Sequence, residues 1–270
     1  MPLFKRKPDV TVEVSTATVV AGEVLRARAS FGEPDGKTRA ARIELVYRNT
    51  YREDHHDNEH GTQTRTVTST VRVDVQDVPL GDAPDAEVEL LVPPDAPGTA
   101  ENVIAWEVRA VIDRKMARDA VAKAEITVLT PATQHPSWAS APAETTVPWP
   151  ISVEVPSRVA RAGDPIMGHL RFTPSEELKV RAVRVQLRSL RLDPDRNKTA
   201  NDGTRVELLG ASTFPAGQTQ QLPFEIHVPA DAAPTFRAEH NHHHWYLEGI
   251  LDQRLSKDPR VISEIVVHTG

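Results

Sequence analysis

The 270-residue sequence contains no cysteine. Disulfide bonds and thiolate metal sites are therefore excluded, and a thiol nucleophile is excluded with them. A chain without cysteine is most simply placed in a reducing compartment.

Long apolar runs are also missing from the sequence. No segment is apolar over the length that a bilayer requires, so a transmembrane segment is not expected. Residues 1–10, MPLFKRKPDV, contain a charged cluster without a following apolar stretch, and this pattern does not predict a secretory signal. These two absences predict a cytoplasmic protein.

Sequence patterns of common enzymes are absent as well. The chain has no Gly-x-Ser-x-Gly segment and no glycine-rich loop that could hold a phosphate. We therefore expect a protein that is not an enzyme and uses no cofactor. The formal net charge of −6 argues against a nucleic-acid partner.

The residues that are present favour a packed protein made of strands. Hydrophobic residues make up 39% of the chain, which is compatible with a folded core. Its 22 prolines and 13 glycines are scattered along the sequence and interrupt regular secondary structure, which favours many short strands over long helices. A chain of 270 residues suits two domains of ordinary size.

An internal repeat organises the sequence. Residues 103–113 read VIAWEVRAVID and residues 242–252 read HHHWYLEGILD. Trp106 matches Trp245 at an offset of 139 residues, and Asp113 matches Asp252 at the same offset. The residues of both segments alternate between the two faces as in a long strand. We therefore expect the two indoles to be buried at equivalent positions.

The repeat extends to other segments. Residues 9–31 and 153–172 each read as two strands around an Ala-Gly-Glu or Ala-Gly-Asp turn, at an offset of 141. The apolar alternation of ARIELVYR matches that of AVRVQLR at an offset of 140, which pairs Leu45 with Val185. The segments ending in Val92 and Val228 are each followed by a proline-rich turn.

These matches predict two β-sandwich domains of about seven short strands each. The predicted boundaries are residues 1–130 and 151–270, with a proline-rich linker at 131–150 that contains Trp138 and Trp149. The polar residues 50–65 and 193–204 are predicted as exposed loops at equivalent places. Residues 114–124 are the one candidate for a helix.

The quoted segments resemble the arrestin-like superfamily. The resemblance depends on the Ala-Gly-Glu/Asp turns, on the PPDAP and PADAAP turns, and on the paired Trp…Asp strands. Residues 106–120 and 245–259 are most similar to the bacterial sporulation-control branch of that superfamily. The resemblance implies an all-β chain with two tandem arrestin-like (immunoglobulin-like) β-sandwich domains, used as a scaffold or adaptor. The cargo and coat-binding segments of the eukaryotic members have no clear match here.

Two histidine clusters are candidates for metal ligands. His242 and His244 lie in the segment EHNHHHW, where strand alternation places them on one face, and His55, His56 and His60 lie among acidic residues. Imidazole and carboxylate groups together can bind zinc, nickel or copper. The alternative is that these histidines are exposed in loops, and no defined metal-binding pattern is matched.

A basic stretch at residues 178–198 is a candidate binding surface. Its candidate partner-binding residues are Arg184, Arg188 and Arg191. If the alternating apolar residues 183, 185 and 187 face inward, Arg184 and Arg188 point outward on the other face of the strand. Because the apolar alternation changes parity at the leucines after residue 188, a bulge is predicted near there. The stretch could bind an acidic partner or a lipid headgroup, or it could be a solvated face paired with nearby carboxylates. Residues 3–7, LFKRK, could add a weak peripheral membrane contact.

The two repeated aspartates receive a structural interpretation. Asp113 and Asp252 each end the longest strand of their half, so we expect each carboxylate to accept hydrogen bonds from backbone N–H groups of the following turn.

The function that these observations favour is a non-catalytic cytosolic scaffold that binds a protein partner through a sheet face, a sheet edge or an interdomain cleft. By resemblance, its role would be regulatory, in sporulation or stress control. A metal-binding protein that uses the histidine clusters and a peripheral membrane-binding module remain as alternatives.

Overall fold

In the residues that the structure describes, the chain folds as β-strands joined by turns and loops. A computed structural model describes residues 9–33, 36–57, 61–79, 85–133, 143–196, 198–254 and 256–270. These residues contain no α-helix, and Pro194–Arg196 form a 3-10 turn. The prediction of an all-β protein is confirmed.

The chain divides into two compact units. One comprises residues 1–130 with 238–240, and the other comprises 131–237 with 241–270. The strands of the first unit are β1 (Val10–Val14), β2 (Thr18–Val20), β3 (Val24–Phe31), β4 (Thr38–Asp57), β5 (Gly61–Val78), β6 (Asp85–Leu91), β7 (Ile104–Arg114) and β8 (Ala120–Leu129).

The second unit contains the remaining strands. They are β9 (Glu144–Thr145), β10 (Ile151–Glu154), β11 (Val159–Arg161), β12 (Pro165–Phe172), β13 (Leu178–Val180), β14 (Ala182–Leu192), β15 (Lys198–Leu209), β16 (Ser212–Phe214), β17 (Gln220–His227), β18 (Phe236–Arg237), β19 (His242–Asp252) and β20 (Arg260–His268).

The two units share one strand order. The first has sheets β1-β3-β6 and β2-β8-β7-β4-β5, and the second has sheets β10-β12-β17 and β11-β20-β19-β14-β15. The orders match strand by strand, and the equivalent pairs β2–β8 and β11–β20 are both parallel. The second unit adds β9 beside β20, β18 beside β19 and the separate pair β13–β16. The sequence repeat is therefore a repeat of topology.

Each unit has an apolar core to which both kinds of sheet contribute. In the second unit Leu170 and Phe172 of the three-stranded sheet join Leu187 and Leu247 of the longer sheet, and all four are 0% exposed. This arrangement is consistent with a β-sandwich, in which the inward side chains of two sheets pack together.

The repeated tryptophans are buried and are held in the same way. Trp106 is 1% exposed and Trp245 is 5% exposed, so the prediction that both are buried is confirmed. The indole N–H of Trp106 donates to the Pro97 carbonyl at 2.8 Å, and that of Trp245 donates to the Ala233 carbonyl at 2.9 Å. The proline-rich turn before each strand therefore supplies the acceptor that a buried indole needs.

The early turn of each unit depends on glycine. Gly22 has φ +97° and Gly163 has φ +92°, a region that side chains disfavour. Their N–H groups donate to the carbonyls of Val92 at 2.9 Å and Val228 at 3.2 Å. These bonds join the turn to the strand that precedes the proline-rich segment in each half.

One predicted offset is wrong. Leu45 of β4 lies opposite Val108, and Leu187 of β14 lies opposite Leu247. Leu45 therefore matches Leu187, at an offset of 142 rather than 140, and does not match Val185. An alternating pattern repeats every two residues, so burial alone cannot distinguish registers that differ by two.

Three segments form more strand than the sequence indicates. The helical candidate at 114–124 is a turn followed by the start of β8, because pairing with β7 overrides local helix propensity. The predicted loop at 50–65 is mostly strand, since β4 and β5 continue on either side of a short connection. Polar cross-strand pairs accompany these strand ends, such as Arg65 with Glu53 at 2.7 Å. In the predicted loop at 193–204, β15 begins at residue 198.

The proline-rich segment at 131–150 ends within the second unit. Its residues Glu144–Thr145 form β9, and the backbone N–H of Thr146 donates to the Arg260 carbonyl at 3.0 Å. Trp149 packs against the core of the second unit. Trp138 lies outside the described residues.

The two cores are filled differently at one equivalent position. Ala110 lies opposite Ala122 in the first unit, whereas Gly249 lies opposite Val261 in the second. A Cβ on Gly249 would stand 2.5 Å from Leu170 Cδ1 and 3.0 Å from Val261 Cγ1. The larger neighbours in the second unit therefore occupy the volume that the Ala110 methyl group fills in the first.

In each unit a turn joins the last two long strands, and an aspartate side chain in that turn accepts a backbone hydrogen bond. Asp119 accepts a hydrogen bond from the Arg114 N–H at 3.2 Å, and Asp258 accepts one from the Gln253 N–H at 2.9 Å. Each carboxylate caps the backbone five residues earlier, and the two aspartates are 139 residues apart.

The cap was predicted for the wrong aspartates. The Asp252 carboxylate accepts hydrogen bonds from Arg181 Nε at 2.9 Å and from Arg184 Nη1 at 3.2 Å. Asp113 lies opposite Ala40 on β4. The aspartate that closes the turn, rather than the one that opens it, makes the backbone contact.

Replacing Asp258 with alanine is expected to lower the free energy of unfolding by about 1–2 kcal/mol, because the Gln253 N–H loses its acceptor. Asp258→Asn keeps an acceptor oxygen and should lose less. Denaturant unfolding followed by circular dichroism measures both, with the exposed Asp231→Ala as the control. Equal stabilities for the Asp258→Ala and Asp231→Ala proteins would contradict the cap.

Candidate functional site

Two of the three candidate arginines lie on the outer face of β14. Arg184 and Arg188 alternate with buried apolar residues, as predicted. Arg184 Nη1 is 3.2 Å from Asp252 Oδ2, and Arg188 Nη1 is 3.6 Å from Glu248 Oε1. Both cations thus have carboxylate partners within their own unit, which is the alternative that the sequence left open.

Arg191 lies on the other face of the strand. The predicted bulge in β14 is wrong, because β14 pairs with β19 without a register shift and Ser189 stays buried. The register does shift at two places between β14 and β15, but each time the extra residue is in β15. Arg191 therefore lies on the inward face, near the end of β14 and past the apolar core residues. Its Nε is 3.3 Å from Asp193 Oδ1.

Because β14 keeps its parity, an apolar side chain reaches the outer face and contributes to a groove. The groove has a volume of about 390 Å³, and Leu190, Tyr246 and Ile262 line it. Glu144 of β9 and Glu264 of β20 also line it. In the sheet register Glu264 lies opposite Tyr246, and Glu144 lies opposite Ile262.

Two of the groove carboxylates have partners beside it. Glu248 is 1% exposed and accepts a hydrogen bond from Gln186 Nε2 at 2.9 Å, in addition to its ion pair with Arg188. Glu264 Oε1 is 2.6 Å from His244 Nδ1. Burial of Glu248 is therefore balanced by a cation and an amide donor.

The pKa of Tyr246 depends on the charges that surround the groove. Burial raises the pKa of Tyr246, and the nearby charges of Glu264 and Glu144 raise that pKa further, while Arg188 opposes them. Burial and the two nearby carboxylates therefore favour the neutral phenol over the phenolate.

The corresponding face of the first unit has a different composition. Glu107 follows Trp106 as Tyr246 follows Trp245, and it is 3% exposed. Burial alone would raise the pKa of Glu107, but hydrogen bonds from Arg109 and Lys123 outweigh burial and lower it. A buried ion cluster thus replaces the tyrosine.

The groove residues on β19 and β20 were not singled out from the sequence. The sequence could have pointed to them, because Tyr246 and Ile262 are at outward positions where a solvated face would have polar residues. The flanking carboxylates give no signal of their own, because acidic residues are ordinary on a solvated face.

The second histidine cluster is divided among three environments. His242 and His244 lie on one face, as predicted, with ring centroids 6.2 Å apart. His243 faces inward, is 7% exposed and contacts Phe236. The His240 ring contacts the Tyr51 ring in a tilted arrangement, with ring centroids 4.4 Å apart.

The first histidine cluster lies at the end of the β4–β5 hairpin. His55 and His56 are exposed, and His56 Nδ1 is 3.2 Å from Thr62 Oγ1. His60 lies outside the described residues. Over the part of the chain that is described, no group of three or more histidine, aspartate or glutamate side chains is arranged to hold a metal ion.

The hairpin also presents a long sheet edge. Strand β5 is the last strand of its sheet and pairs with β4 along most of its length. β7 pairs with β4 only as far as Asn49, opposite Ile104, so residues 50–57 and 61–68 form a two-stranded ribbon. Most β5 side chains are exposed.

Comparison with known proteins gives no family for this chain. No protein-family model matches the sequence, and no curated protein matches it either. In the described residues no helix is long and apolar enough to cross a membrane.

Proposed function

We propose that this protein is a cytoplasmic, non-catalytic scaffold of the arrestin-like type, with two tandem β-sandwich domains, that binds a protein partner through the edge of β5. The duplicated strand order and the sequence segments around the two tryptophans support the arrestin-like assignment. The resemblance to the sporulation-control branch suggests a regulatory role.

The observation on which the binding mode depends is that β5 is an edge strand among the described residues and that most of its side chains are exposed. An edge strand offers a row of backbone N–H and C=O groups, and an extended peptide can pair with that row. Strand β5 has 18 residues, contains no proline and is rich in threonine and valine. These properties favour pairing with another strand.

The hairpin ribbon strengthens this argument. A two-stranded ribbon is marginally stable in water by itself. Residues 61–68 lie on the ribbon and also belong to the edge strand. A partner strand added there would make the ribbon three-stranded and increase its stability.

Proline substitution in β5 tests the proposal. Backbone N–H groups of consecutive residues point to opposite sides of a strand, so one of Ser69 and Thr70 donates towards β4 and the other towards the free edge. The proline variant that retains its melting temperature identifies the outward position. That variant should lose a stoichiometric protein partner that co-purifies with the unmodified chain from native lysate.

Thr70→Ala is the matched control, because it shortens a side chain and leaves the backbone edge intact. It should retain the partner. Retention of the partner by the stable proline variant would exclude the β5 edge. The absence of any stoichiometric protein partner from the unmodified chain would contradict the scaffold function itself.

A further inference from the structure

The outer groove of the second unit is suited to a ligand of defined charge. We propose that it binds a lysine or arginine side chain presented by a protein partner. The groove belongs wholly to the second unit, so this proposal does not depend on pairing at the β5 edge.

The first reason is the arrangement of charge. Glu144 and Glu264 line the groove together with Tyr246, and Glu264 lies opposite Tyr246 in the sheet. In the described part of the chain no ion pair involves Glu144, and Glu264 is beside an imidazole rather than a permanent cation. A cation at the ring would therefore meet two carboxylates that form no ion pair with a lysine or arginine in the described residues.

The second reason is the apolar lining. Leu190 and Ile262 line the groove together with the half-buried ring of Tyr246. The methylene stem of a lysine or arginine packs well on such a surface while its charged end reaches polar groups. A tyrosine ring face also attracts a cation directly.

The third reason is that an anion fits poorly. The groove contains the carboxylates of Glu144, Glu248 and Glu264, against the cations of Arg188 and Lys198. Arg188 is already paired with Glu248. An acidic peptide or an anionic lipid headgroup would therefore meet a net negative surface.

Nuclear magnetic resonance titration of the full chain tests the proposal. The probe is the blocked peptide acetyl-Gly-Val-Arg-Val-Gly-amide, and its control replaces arginine with glutamine. The arginine peptide should give saturable amide shifts at Tyr246, Ile262 and Glu264, with a dissociation constant of about 1 mM. The glutamine peptide should give none at these residues.

Two variants assign the binding to the groove. Glu144 is exposed, so Glu144→Gln should fold normally and weaken binding about tenfold. Tyr246→Leu keeps an apolar lining but removes the ring, and it should also weaken binding. Glu125→Gln is the matched control, because Glu125 lies opposite Glu107 in the first unit as Glu264 lies opposite Tyr246, and it should leave the affinity unchanged.

Several results would overturn the proposal: equal binding of both peptides, unchanged affinity in Glu144→Gln, or no saturable shifts in the groove at about 10 mM peptide. Preferential binding of a glutamate peptide or of anionic vesicles at these residues would overturn it as well. Shifts confined to β5 with both peptides would support edge pairing while excluding the groove, so the two proposals fail separately.

Discussion

Replacing Trp106 with alanine is expected to lower the free energy of unfolding by about 3–5 kcal/mol, and Trp245→Ala should have an effect of the same size. Both indoles are almost fully buried. Trp106 also contacts the Tyr47 ring, with centroids 5.0 Å apart. Removing either indole leaves a cavity and an unpaired carbonyl in the preceding turn.

Phenylalanine at these positions separates the two contributions. Trp106→Phe keeps most of the buried area but leaves the Pro97 carbonyl without its donor, so its effect should lie between those of the unmodified chain and of the alanine variant. Denaturant unfolding followed by far-ultraviolet circular dichroism measures the stabilities. The exposed Met167→Ala serves as the control. A loss below about 1 kcal/mol in both alanine variants would show that the indoles do not stabilise the cores.

The second large effect is a loss of stability in mild acid that depends on His243. The pKa of His243 is lowered to about 4, mainly by burial; a hydrogen bond to the Pro234 carbonyl opposes the shift, and nearby His244 and Arg191 contribute to it. In the unfolded chain the pKa of His243 should be near the ordinary histidine value of 6.5. As the pH falls through this interval, the His243 imidazole binds a proton in the unfolded state but not in the folded state. The stability present above pH 6.5 is thus lost towards pH 4, by about 3 kcal/mol.

His243→Asn isolates this contribution, since an amide N–H can replace Nδ1–H as the donor to Pro234, which lies 2.9 Å away. The variant should be less stable at neutral pH but should lose less stability between neutral pH and pH 4 than the unmodified chain. Because the carboxylates titrate in both proteins, their contribution to the pH dependence of stability cancels in the comparison. An identical pH dependence in the two proteins would show that His243 does not couple folding to protonation.

Much of the fold could be predicted from the sequence because alternation is a direct consequence of strand geometry. The repeated Trp strands and the Ala-Gly-Glu and Ala-Gly-Asp segments locate the main strands and the early turns from the sequence, and Gly22 and Gly163 indeed have positive φ. The same period of two explains the wrong offset of β4 against β14, since a shift of two residues preserves every inward position.

The polar segments were harder to assign for a different reason. In the β4–β5 hairpin, pairs such as Thr64 with Asp54 at 2.8 Å contribute to a ladder of polar cross-strand contacts. A sequence shows each residue's own preference but not its partner across the ladder. Strands without an apolar face therefore look like loops.

The candidate site was predicted only in part for a related reason. Arg184 and Arg188 were placed on the outer face correctly, because the apolar residues between them fix the parity of β14. The groove beside them also needs β9, β19 and β20, which come together only in the sheet. Long-range pairing, rather than any local pattern, brings Glu144 near Tyr246.

The unequal filling of the two cores also bears on how the chain avoids misassembly. Two units with one strand order in a single chain can exchange equivalent strands during folding. If β7 entered the sheet of the second unit, the Ala110 methyl group would meet Leu170 and Val261 where only glycine fits. If β19 entered the first sheet, Gly249 would leave a void beside Ala122. Either exchange is penalised, so the different packing of the two units favours pairing of each strand with its own sheet.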